Sequence, residues 1–234
     1  MIDLSADLGE GSPGEDEIWP LIASANVACG GHVGDEVSMR DAVLRARQHG
    51  VRLGAHPSYP DREHFGRRSL VMAPPALRDS LVEQISALRA LAGELHHVKP
   101  HGALYNDAHK DRALAEVIVE AMRIVDAGLA LVAPDHSQMA IAARASGMRV
   151  IREAFADRRY ERDGSLVSRK EPGSTLTIEE AAEQAALLAH NHAVIARDGT
   201  PIAIAFDTIC VHADMDGAVD RLRAIRAALG VVSS

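Results

Sequence analysis

Short β-branched or apolar runs alternate with longer stretches of helical periodicity along the whole chain, which confines it to architectures built from repeated βα units around a parallel sheet. The strand candidates are residues 2–7, 25–29, 52–56, 97–101, 129–133, 150–155 and 202–211. Helical periodicity is clearest over 35–49, 75–92, 112–126, 137–145, 178–197 and 217–229. Gly50, Gly93, Gly128, Gly147, Gly199 and Gly230 each follow such a pattern, where a residue tolerant of positive φ closes the last turn. Pro75 suits an opening turn, and Thr177 with Glu180 makes a capping-box pattern ahead of the longest helix. The fold class this predicts is α/β: a modified, TIM-like (β/α) barrel with about seven parallel strands, close to the usual eight.

Length agrees, since 234 residues suit one such barrel, and no linker, repeat or low-complexity tract divides residues 1–234. Two polar stretches, 58–70 and 158–174, interrupt the alternation just after strand ends, where long barrel loops tend to carry function. The 33 acidic side chains outnumber the 25 basic ones, giving a net charge of −8 that argues against a phosphate-backbone partner. No apolar run is long enough to cross a bilayer and no signal-peptide pattern opens the chain, so the expected location is cytoplasmic. Cys29 and Cys210 form no CxxC pair and read as reduced, buried small hydrophobes. There is no GxxxxGK[ST] loop, no GxGxxG opening a helix after a strand and no GxSxG elbow. A standalone P-loop ATPase, a nicotinamide enzyme and an α/β-hydrolase triad are therefore disfavoured.

Polar residues collect at the C-terminal ends of the strand candidates: Asp7, Asn26 to His32, His56, Lys99 with His101, Glu153 with Asp157, and Asp207 with His212. Parallel barrels place their chemistry on this face, because the βα loops converge there on one mouth. Lys99 and His101 are two apart on one strand and share a face, which suits a cation for a developing oxyanion beside a proton-carrying histidine. The plainer alternative is an outward-snorkelling lysine beside a hydrogen-bonded histidine. His32 and His56 with Asp7 are the set a divalent metal ion would take, although no HxxxH or HxxE spacing marks one, and histidine–carboxylate hydrogen bonds explain the same residues. His212 reads as an acid/base partner for a carboxylate, and Asp214 either joins it or caps the next helix.

The blocks DLSADLGEG (3–11), SANVACGGHVGD (24–35), GAHPSYP (54–60), FGRR (65–68), VKPHGALYN (98–106), EAFADRRY (153–160) and ICVH (209–212) resemble, in order and over nearly the whole chain, the signature blocks of the LamB/YcsF family. The resemblance implies a barrel similar to the glycoside hydrolase/deacetylase group. It also implies the A-subunit share of an ATP-dependent 5-oxoprolinase, a hydrolase that opens the lactam ring of 5-oxo-L-proline (pyroglutamate) to L-glutamate together with B and C subunits. Motif residues that carry over are Asp7, Asn26, His32, Asp35, His56, Lys99, His101, Glu153, Asp157, Arg158 and His212. Asp7, Lys99, His101 and His212 are expected to act in catalysis, and Asn26, His32, His56, Glu153, Asp157 and Arg158 to bind substrate. ATP is the implied co-substrate, and the missing nucleotide loop points to partner subunits for its chemistry. Two other readings stand beside this one: a metal-dependent deacetylase or carbohydrate hydrolase on the same barrel, and a non-catalytic subunit that binds a small acid. Two departures from the family pattern reshape the mouth: Gly31 stands where the family commonly has Phe before His32, and Ala213 where it has Gly after His212.

Overall fold

The computed structural model describes residues 2–230. Seven parallel strands close into a barrel in the order β1 (Asp3–Leu8), β2 (Ser24–Ala28), β3 (Arg52–His56), β4 (His97–Val98), β5 (Ala130–Ala133), β6 (Val150–Phe155) and β9 (Thr208–Cys210). The last strand pairs with both β6 and β1, joining Glu153 to Thr208 and Asp3 to Thr208 in register. The intervening β7 (Ala193–Ile195) and β8 (Pro201–Ala203) form a separate antiparallel pair. Around the barrel lie α1 (Glu15–Ile18), α2 (Glu36–His49), α3 (Pro74–Ala92), α4 (Gly102–Lys110), α5 (Arg112–Val125), α6 (Gln138–Ala145), α7 (Ile178–Asn191) and α8 (Ala218–Ala228). No helix among the described residues is long and apolar enough to cross a membrane.

Side chains alternate across each strand, and for most strands the alternation divides apolar from polar, whereas Ala130 and Val132 of β5 make a small separate apolar cluster with Ile151 of β6. Leu4, Ala6 and Leu8 of β1, Val27 of β2, Ala55 of β3 and Ile209 of β9 join the buried layer shared with the helices. Ser5, Asp7, Asn26, His56, His97, Glu153 and Thr208 are buried as well, and inside the barrel Asn26 bonds both Asp7 and His97 while Thr208 bonds Ser5. Gly54 shows why one interior position must be small: a Cβ there would lie 2.1 Å from His97 Nε2. The helical layer supplies the apolar counterpart, for example Ile118, Val119, Ala121 and Met122 on the inner face of α5. Each large side chain buried this way contributes about 1.5–3 kcal/mol.

Helix starts follow the expected chemistry. Asp35 caps α2 in a reciprocal capping box with Ser38, which gives this motif aspartate a local structural task. Thr177 and Glu180 form the second capping box at α7. Three expectations are revised. The stretch 202–211 is two strands, of which only Thr208–Cys210 belongs to the barrel. The helix from 178 stops at Asn191, because His192 adopts φ 49, and Gly199 (φ 86) serves the β7–β8 turn instead of a helix end. Asp207 lies at the N-terminal end of β9, away from the mouth, where it accepts hydrogen bonds of 2.6 and 2.9 Å from the Arg152 guanidinium.

Candidate active site

The interior of the barrel is a column of polar side chains rising to the mouth. Beyond the two residues of β4 the chain stays extended against the loop after β3, with Lys99 N–H donating to Ala55 O at 2.9 Å and His101 N–H to Pro57 O at 2.8 Å. His97, Lys99 and His101 therefore fall on one face at successive heights, as their two-residue spacing requires. Lowest of the three, His97 donates from Nε2 to Asn26 Oδ1 at 2.8 Å, and Asn26 in turn donates to Asp7 Oδ1 at 2.8 Å. Burial holds the His97 imidazole down to about 3, so it is neutral and keeps that orientation.

At the next level the Lys99 ammonium sits 2.9 Å from Asp7 Oδ1, 2.9 Å from Glu153 Oε1 and 3.0 Å from Cys210 Sγ. Its hydrogen bonds go to Asp7 and Cys210, and Glu153 adds an ion pair without hydrogen-bond geometry. Burial opposes the charge on Lys99, but Asp7, Cys210 and Glu153 outweigh it and hold the ammonium pKa well above its ordinary value. Burial likewise opposes ionisation of Asp7, and His56 and Lys99 together pull it well below the usual carboxylate range. Tyr105 donates to the other oxygen of Glu153 at 2.8 Å. Cys29 and Cys210 are both free thiols, and burial pushes Cys29 up to about 12.

At the mouth, Glu10, His32, His56 and His101 place one potential ligand atom each within 4.8 Å of one another. Glu10 Oε1 is 2.9 Å from His32 Nε2, 3.5 Å from His101 Nδ1 and 3.9 Å from His56 Nε2, while those last two nitrogens are 3.0 Å apart. The His32 and His101 rings stack with centroids 3.7 Å apart. Gly66 (φ 62) passes over them, and a Cβ there would stand 2.9 Å from His32 Cβ and 3.0 Å from His101 Cδ2. Burial lowers His32 to about 3 and His101 to about 2, and raises Glu10 to about 7. Asp7 touches this group only at its edge, 3.4 Å from His56 Nε2, with its oxygens engaged by Lys99 and Asn26.

On the opposite wall, Asp157 accepts from the backbone N–H of His212 at 2.9 Å and faces His212 Nδ1 at 3.0 Å. Burial would raise Asp157, but His212 draws it down to about 2. With Nδ1 fixed by the carboxylate, Nε2 of His212 is left for proton traffic. Arg158 is buried and spent on the Val167 and Ser174 carbonyls, which fold the polar stretch 158–174 against the mouth. At the rim, Arg67 and Arg169 both pair with Asp214, leaving one cation in excess; Gly217, not Asp214, is the N-cap residue of α8. Asp7, Glu10, His56, Lys99, His101 and His212 line one cavity of about 840 Å³, and the two rim arginines face the same space.

Sequence reasoning thus found Asp7, Asn26, His32, His56, Lys99, His101, Glu153, Asp157, Arg158 and His212, and the fold gathers them at one end of the barrel. It missed Glu10, His97, Tyr105, Arg67 and Arg169. Glu10 carried a readable signal, since it stands between two glycines directly after the first strand. The model of the LamB/YcsF family matches residues 2–232. The 5-oxoprolinase A subunit of Methylococcus capsulatus is 48% identical over 237 residues, covering 96% of this chain and 90% of its own length. That of Chloroflexus aggregans is 46% identical over 235 residues, with coverages of 96% and 93%. The crystal structure of a lactam utilization protein from Thermus thermophilus superposes with a TM-score of 0.91 at 42% identity, over 98% of this chain and 96% of its own.

Proposed function

Because the chain belongs to the LamB/YcsF family, we propose that it is the A subunit of an ATP-dependent 5-oxoprolinase and that the barrel mouth is where the lactam ring opens. The observation that carries this reading is the Asp157–His212 pair facing the same cavity as the Lys99 cluster. Opening the ring breaks the bond between the carbonyl carbon and the ring nitrogen: water adds to the carbon, loses a proton, and the departing nitrogen gains one. His212, oriented through Nδ1, carries that proton, an assignment its free Nε2 supports better than His101, whose two nitrogens already face His56 and the Phe65 carbonyl. The excess cation at Arg67 and Arg169 suits the carboxylate of 5-oxoproline.

A five-membered lactam is a poor electrophile, and phosphorylation of its oxygen is the activation ATP would provide. With no P-loop motif in the sequence, partner B and C subunits carry that step in this reading. The test is glutamate release from 5-oxoproline and ATP, with and without the B and C subunits of the same source. Release confined to the full mixture, and reduced in His212→Ala by the ~10²–10⁴-fold typical of a lost acid/base group, is the expected result. Folded, assembled subunits that release no glutamate would sink the reading.

A further inference from the structure

The mouth group of three histidines and a glutamate has a hydrogen-bonding problem that neutral imidazoles do not solve. His56 Nδ1 lies 2.6 Å from the Lys99 carbonyl, and His101 Nε2 lies 2.9 Å from the Phe65 carbonyl. A carbonyl oxygen only accepts, so both of those nitrogens carry hydrogens. With both rings neutral, the other nitrogens, His56 Nε2 and His101 Nδ1, present lone pairs to each other across 3.0 Å. Glu10 Oε1, also an acceptor when ionised, faces the same gap, and His32 adds a ring whose Nε2 is 2.9 Å from that oxygen. His32 Nδ1 is buried with no partner, so neither neutral tautomer of this ring is satisfied.

Acceptors turned inward, with the far ring nitrogens anchored to backbone carbonyls, are how proteins orient histidines for a metal ion. The separations of 2.9, 3.0, 3.5 and 3.9 Å among these atoms bracket the ~3.4 Å edge of a tetrahedron built from bonds of about 2.1 Å. We infer that Glu10, His32, His56 and His101 bind one divalent transition-metal ion. Three imidazoles and a carboxylate favour zinc or a similar borderline ion over magnesium or calcium, which prefer oxygen ligands. Glu10, His56 and His101 also line the cavity, so the ion would be reachable from the substrate side. This inference does not depend on which substrate the cavity accepts.

Metal content of the purified, dialysed full-length protein and the visible absorption of its cobalt(II)-loaded form test the assignment without any turnover. One equivalent of metal and a cobalt spectrum typical of nitrogen-rich tetrahedral or five-coordinate geometry are expected. Glu10→Gln and His101→Ala should weaken cobalt binding by at least about tenfold, the smallest effect seen for perturbing even outer groups of a metal site. His212→Ala, on the opposite wall, should bind as the unsubstituted protein does. A wild-type protein that takes up neither zinc nor cobalt would leave the gap to a proton on His56 and overturn the inference. Equal cobalt affinity in folded Glu10→Gln and His101→Ala, with native circular dichroism, would place any bound metal elsewhere and overturn it too.

Discussion

Replacing Lys99 by Met keeps most of the apolar stem and removes only the ammonium, and its cost follows from what the ammonium holds. Lys99 is 3% exposed and lies 2.9 Å from both Asp7 and Glu153. Without it two buried carboxylates face each other across the barrel with no cation between them. Asp7 keeps the Asn26 amide and the edge of His56, whereas Glu153 keeps only the Tyr105 hydroxyl, so most of the penalty falls on Glu153. Stripping one partner from a buried ion pair costs about 3–5 kcal/mol. For a chain of this size each kcal/mol moves the melting temperature by about 2–4 °C, giving a drop of about 6–20 °C. Differential scanning calorimetry and urea unfolding of Lys99→Met measure it. The double variant Lys99→Met/Glu153→Gln should recover a substantial part of the loss, since it removes the charge left behind. A single variant melting within about 2–4 °C of the parent, equivalent to less than about 1 kcal/mol, would refute the reasoning. So would a double variant no more stable than the single one.

Two further perturbations probe other parts of the structure. Asp157 has its pKa lowered to about 2 in the folded state from 3.8, so the stability it contributes is present above pH 4 and is lost as pH falls toward 2. That shift corresponds to about 2 kcal/mol, and acid-unfolding curves of Asp157→Asn should lie below those of the parent near pH 7 and converge with them near pH 2; a constant gap at all pH values would contradict it. Gly54→Ala would force a methyl group into His97, disturbing the His97–Asn26–Asp7 chain. A loss of about 1–3 kcal/mol in urea unfolding is expected for such overpacking, and an unchanged midpoint would show that the ring moves aside freely.

The barrel was legible because short apolar runs alternate with helical periodicity, and six of the seven strand candidates lead into polar side chains, which in a parallel sheet point to a single face. Asp7, His56, Lys99, Glu153 and His212 needed nothing more than that rule. The stretch 202–211 misled because its largely apolar character, interrupted only at Asp207 and Thr208, hides a break: Ile204 N–H donates to His192 O, outside the barrel, before β9 begins. A turn signal was present at Asp198–Gly199, flanked by apolar runs, but helical periodicity over the same residues competed with it. The helix Gly102–Lys110 was masked by the strand-like residues immediately before it. Tyr105, Arg67 and Arg169 could not be placed from spacing alone, since their partners Glu153 and Asp214 lie from 45 to 147 residues away.

The polar column inside the barrel makes closure an all-or-none event. Its bonds join Ser5 to Thr208 across 203 residues, Lys99 to Cys210 across 111 and Asp7 to Lys99 across 92. In a nascent chain holding only the first four strands, Asp7 and Lys99 stand at opposite edges of the sheet, Cys210 has yet to arrive, and Ser5 still lacks Thr208. Apolar packing between neighbouring βα units rewards each unit as it forms, whereas the lumen's hydrogen bonds are completed only when the last strand slots between β6 and β1. Partial barrels are thereby penalised, and the same residues that create the chemistry of the mouth make the two ends of the chain fold as one cooperative structure.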